Sequence, residues 1–181
     1  MHSAFRLPNF MRLVAVLLAG LPAFAAAEVR LHVSYNGQSE ELVAADLATL
    51  PAASAEVTEH GATHVYRGVA ARDVLALVGA PFDKQLRGPG FALVVKVHAA
   101  DGYVVAFALA EFDAAHREQT ILLADRQDGA PLPANAAPWR LICPGDKRPA
   151  RSVRQVSWLE VISVGTDRPA HPDSKPTATS P

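Results

Sequence analysis

Tyr66-Arg67-Gly68-Val69-Ala70-Ala71-Arg72-Asp73-Val74-Leu75-Ala76-Leu77-Val78-Gly79 is the stretch whose reading decides the fold. Tyr66 and Arg67 end a hairpin pattern that runs from Ala55 around His60-Gly61-Ala62. Gly68 punctuates, and Val69 to Val78 then places Val74, Leu75 and Val78 at helical spacing, with Gly79 as the stop. A strand thus passes through a glycine straight into a helix. No other segment is long enough to read as a convincing helix.

Outward from that stretch the pattern is mostly β. Upstream, Val29, Leu31 and Val33 alternate with Arg30, His32 and Ser34, which predicts a strand over Glu28 to Tyr35. Asn36-Gly37 is a strong hairpin signal, because both residues tolerate positive φ. Ala45 to Leu50 reads as one helical turn stopped by Pro51. Downstream, Phe82 to Gly90 is a Pro/Gly-punctuated loop, and Phe91 to Ala99 is a β-branched strand turned by Asp101-Gly102 into Tyr103 to Ala108. Leu109 to Ala115 reads as a short helix, and Thr120 to Ala124, Trp139 to Cys143 and Trp158 to Val164 as strands. Interleaved short strands and brief helices predict an α+β domain, a mixed β-sheet with short helices.

The ends read differently. Arg6 and Arg12 precede the apolar run Leu13 to Leu21, then Pro22 and the small residues Ala23-Phe24-Ala25-Ala26-Ala27. That order predicts a signal peptide over 1–27, cleaved after Ala27, and a periplasmic or secreted domain over 28–165. A spanning helix needs about 20 apolar residues; Pro22 interrupts this run early, which points to cleavage rather than an anchor. No further apolar run of about 18 residues follows, so no membrane span is expected after cleavage. The arginines are not adjacent, so the pattern is of the general secretory type rather than the twin-arginine type that exports folded, loaded proteins. From Thr166 the chain is Pro, Ser, Thr, Ala and charge, predicting a disordered tail over 166–181.

Losing Arg6 and Arg12 would leave 15 basic against 18 acidic residues, a formal charge of −3. That balance excludes bulk nucleic-acid binding, which needs a basic field. Cys143 is the single cysteine, so the chain forms no internal disulfide and no cysteine-rich metal cluster.

Four segments, in order, carry a resemblance. They are Tyr66-Arg67-Gly68-Val69 with Asp73-Val74-Leu75; Ala100-Asp101-Gly102-Tyr103; Leu122-Leu123-Ala124 with Asp128-Gly129 and Pro131-Leu132; and Trp139-Arg140-Leu141-Ile142 with Pro144-Gly145-Asp146. Together they resemble the oxidoreductase molybdopterin-binding domain family, with its sulfite-oxidase-like fold, from about Val29 to Val164. The resemblance implies a pterin cofactor whose molybdenum is held by a cysteine thiolate, lying before the Tyr66 motif. Here that interval, Ala52 to Val65, contains no cysteine, and Cys143 falls far downstream. Oxygen or imidazole from Thr58 or His60 does not replace a soft thiolate without changing the metal chemistry.

The candidate ligand-binding residues are therefore cationic: Arg140, Lys147, Arg148, Arg151 and Arg154, whose guanidinium forks suit phosphate or carboxylate. In the resembling family this region lies near the pterin phosphate. A solvated basic edge is the structural alternative. His60, His64, His98 and Asp101 suggest a metal site only weakly, since His60 and His64 straddle a glycine turn rather than sharing a helix face. Cys143 reads as a buried small hydrophobe, with a thiol activated by Lys147 and Arg148 as the alternative.

The sequence expectation is a secreted molybdopterin-binding-fold domain without molybdenum redox activity, acting as an anion-, ligand- or partner-binding module. No catalytic, cofactor-binding or metal-ligating residue is assigned. No cofactor is expected, and molybdopterin enters by resemblance only. The expected partner is a small anionic ligand or a periplasmic protein, not nucleic acid. A periplasmic molybdopterin-dependent oxidoreductase and a structural accessory subunit of a periplasmic complex are the alternatives.

Overall fold

A computed structural model describes residues 28–59 and 61–165. The expected signal peptide, the expected tail and His60 lie outside the described residues.

The Asn36-Gly37 turn, with φ of 48° and 80°, joins β1 (Leu31–Tyr35) to β2 (Gln38–Leu42). After α1 (Ala44–Leu47), β3 (Ala52–Glu59) and β4 (Ala62–Ala70) form the second hairpin. The helix α2 (Ala71–Ala76) follows. It is shorter than the Val69 to Val78 periodicity predicts. Val69 and Ala70 remain in the strand, paired with Leu123 and Leu122, and the Ala71 N–H is taken by the Ile121 carbonyl. Sheet hydrogen bonds thus override helical spacing at the N-terminal end.

Three-ten turns at Asp83–Gln85 and Gly88–Ala92 occupy the expected loop. Then come β5 (Leu93–Ala99) and β6 (Val104–Ala108). The expected helix after Leu109 is a single three-ten turn, Leu109–Phe112. The remaining strands are β7 (Leu122–Gln127), β8 (Ala130–Pro131), β9 (Arg140–Ile142) and β10 (Val156–Ser163).

One five-stranded sheet runs β2-β1-β10-β5-β6, with β1 and β10 parallel and the other neighbours antiparallel. The second runs β3-β4-β7-β8, with β9 also paired to β7. The main core joins the sheets: Leu31, Val33, Val95, Val97, Leu159 and Val161 from the first meet Val69, Leu123 and Leu141 from the second, with Val74 and Leu75 of α2. A smaller core on the other face of the second sheet packs Tyr66, Leu122, Ala124 and Ile142 under Leu132 and Ala136. The architecture is the predicted mixed-sheet α+β domain. Among the described residues no helix is long and apolar enough to cross a membrane.

Candidate functional site

Strand β3 alternates exposed and half-buried residues, and Ala53, Ala55 and Val57 pack on the smaller core. Glu59 is in phase with those three, so a carboxylate is turned inward. Its partner comes from β9, where Arg140 sits in a fully buried strand. Arg140 donates from Nη2 to Glu59 Oε1 at 2.7 Å and from Nη1 to the Tyr66 hydroxyl at 2.6 Å. Its guanidinium lies 5.1 Å from the Tyr66 ring centroid. Its Nε is buried without a partner among the described residues. Burial raises the Tyr66 pKa; the Arg140 charge opposes that rise and Glu59 adds to it.

This pair forms the floor of a cleft of about 660 Å³. One wall is the Ala99–Tyr103 turn, where Asp101 accepts the Tyr103 N–H at 2.9 Å. The other is the segment Lys147–Arg154, to which the Tyr103 hydroxyl donates at Ala150 O, 3.0 Å away. Lys147, Arg148 and Arg154 line the cleft and are exposed, and none has a carboxylate within ion-pair distance among the described residues. Four of the five cations singled out in the sequence therefore share one cleft.

Arg151 does not line it. Arg151 binds Asp146 through two 2.8 Å hydrogen bonds, donates to Glu111 at 2.9 Å and lies over the Phe107 ring. Arg117 contacts the same two carboxylates at 3.4 and 3.6 Å. The Arg151 hydrogen bonds hold the Asp146 carboxyl below the usual range. This network ties the loop that carries Lys147 and Arg148 to the Leu109–Phe112 turn, so Arg151 shapes the cleft from behind.

Of the candidate histidines within the described residues, His64 and His98 have separate partners. His64 lies 2.7 Å from Asp128, while His98 stacks on Trp158 at 4.6 Å and lies 3.3 Å from Glu160. No group of three His, Cys, Asp or Glu side chains is placed to hold a metal among the described residues. Cys143 is 2% exposed, and burial, reinforced by the Asp146 charge, pushes its thiol up to about 12. Lys147 and Arg148 do not activate it.

Sequence reasoning missed Glu59. The available signal was a charge in phase with an apolar alternation, which calls for a buried counter-charge.

A model of the family described as oxidoreductase molybdopterin binding domain matches residues 18–172. The crystal structure of the sulfane dehydrogenase SoxCD from Paracoccus pantotrophus is similar in fold, with a TM-score of 0.56 and 18% identity over 75% of this chain. This chain spans 39% of that one. No curated protein matches.

Proposed function

The chain belongs to the oxidoreductase molybdopterin binding domain family, and from that premise we propose that it acts, after export, as an anion-binding module without molybdenum redox chemistry of its own. One observation carries the reading. Lys147, Arg148 and Arg154 line a single walled cleft without an ion pair to any described carboxylate, so that three free cations face the one carboxylate of Asp101 across it, over a floor where Arg140 is already matched by Glu59. Concentrated unneutralised cations beside low-dielectric walls attract oxyanions, and guanidinium forks orient them.

The cations suit the phosphate of a pterin cofactor. The residues present do not suit its metal. The family's thiolate would fall, by resemblance, in the interval now formed by β3 and β4, which has no cysteine. At the end of β3 that lines the cleft stands Glu59, a hard oxygen donor already engaged by Arg140. Cys143 is buried, lies 3.5 Å from the Arg151 carbonyl and does not line the cleft. No redox step follows from this donor set. Family membership itself favours the second reading, a molybdopterin-dependent oxidoreductase.

Protein purified after native expression separates the two. The module is expected to carry no stoichiometric molybdenum by plasma emission, and to melt several degrees higher in saturating phosphate or sulfate. Replacing Lys147 and Arg148 by Ala removes that rise. Stoichiometric metal supports the oxidoreductase, and a melting temperature indifferent to every anion removes the module.

A further inference from the structure

A second groove, separate from the basic cleft, lies over the opposite end of β3. Its volume is about 450 Å³, within the usual range for small-ligand sites. Leu47 and Leu50, Val69, Leu123 and Trp139 provide apolar lining. Arg67 and Arg126 add two cations to it.

The placement of these arginines follows from a bulge. In the β4–β7 pairing Arg67 opposes Arg126, whereas Gly68 opposes Ala124, so Asp125 is the extra residue on β7. Alternate residues of a strand share a face. The inserted Asp125 shifts that alternation and brings Arg126 to the same side as Leu123, while Arg67 shares a side with Val69. Bulges re-aim side chains in this way. Gly68 fixes the arrangement, because a Cβ there would stand 2.0 Å from the Leu123 carbonyl oxygen and 2.7 Å from the Ala124 Cα, both backbone atoms.

Two guanidinium groups directly across an antiparallel pair repel each other. Neither forms a side-chain hydrogen bond or ion pair with any described residue. Asp125, on the same rim, also forms no ion pair among the described residues, so the local charge stays positive by one. Ser54, opposite Arg67 on β3, adds a hydroxyl to the same row. An oxyanion placed between the arginines would relieve their repulsion, and an apolar body attached to it would cover the half-buried Leu50 and the exposed Ala44, Ala48 and Ala52.

We infer that this groove is a binding site for a small amphipathic carboxylate, its oxyanion held between Arg67 and Arg126 and its apolar body against Leu50, Ala44, Ala48 and Ala52. The site shares no lining residue with the basic cleft.

Calorimetric titration of the full chain with octanoate and with 1-octanol tests it. Octanoate is expected to bind saturably and at least about tenfold more tightly than 1-octanol, the loss expected when charged hydrogen bonds are removed. The paired variant Arg67→Gln, Arg126→Gln should lose a similar factor. The paired Lys variant should retain most of the affinity, and Lys147→Gln with Arg148→Gln should leave it unchanged. Equal affinity for octanoate and 1-octanol on the unaltered protein overturns the inference, as does the absence of saturable octanoate binding. Loss of binding in the cleft variant does the same, by moving the site to the other cavity.

Discussion

The Arg140 guanidinium lies 2.7 Å from the Glu59 carboxylate, and both side chains are less than a tenth exposed. Removing one member of such a pair strands a charge away from water, at a cost of roughly 3–5 kcal/mol. Glu59→Gln and Arg140→Met should each be strongly destabilising in urea denaturation. The double variant should cost less than their sum by more than about 1 kcal/mol. Strictly additive losses would show that the two side chains do not depend on each other.

Arg151 and Arg148 are close in sequence but have different tasks. Arg151 is committed to Asp146 and Glu111, yet its side chain is 37% exposed, so screening limits Arg151→Ala to a loss of about 1 kcal/mol. Arg148→Ala should change stability by less than about 0.5 kcal/mol. The anion-dependent rise in melting temperature should weaken in the Arg148 variant and persist in the Arg151 variant. The reverse pattern would place the ligand against Arg151.

Acid should unfold the domain through carboxyls held in their ionised form. Burial alone would raise the Asp113 pKa, but N–H groups of Ala115 and Asp83 and the Arg72 charge outweigh it, and the net shift is downward. Asp146 is lowered by Arg151. A carboxyl with a depressed folded-state pKa binds its proton more readily when unfolded. Its stabilisation is therefore complete above the unfolded value, about 3.9 for Asp, and is lost as pH falls through the lower folded values. Melting temperature should drop below about pH 4, and Asp113→Asn should shallow that drop. An unchanged acid limb in the variant would assign it to other groups.

Cys143 should be nearly inert in the native protein. With its thiol pushed up to about 12 by burial, almost no thiolate exists at neutral pH. Iodoacetamide modification, followed by mass spectrometry, should be slow in buffer and rapid in denaturant. Fast labelling of the folded chain would show that the thiol is open and activated.

Much of the fold was legible because hairpins are local. Asn36-Gly37 and Asp128-Gly129 adopt the positive-φ turns that their residue types favour, each following a strand that was read; the short partner strands β2 and β8 after them were not read. The helix around Leu75 was read too long, because Val69 is apolar on either reading and only its pairing with Leu123 makes it a strand residue. Within the candidate site, the cluster from Lys147 to Arg154 was visible as charge. Its division into cleft-facing and network-forming members was not, because Asp146 and Glu111 are neighbours of Arg151 only after the loop folds back on the Leu109–Phe112 turn. The second groove had no sequence signal, since Arg67 and Arg126 are ordinary polar residues until a bulge sets them side by side.

By itself the sequence determined the mixed-sheet domain, the order of motifs that carries the family, and the lack of a cysteine between Ala52 and Val65, because alternation, turn chemistry and residue identity are local properties of a chain. The tertiary structure alone decided which charges cancel and which face a cavity. Charge neutralisation depends on distances of a few ångströms between residues such as Glu59 and Arg140, and only the pairing of strands distant in sequence sets those distances.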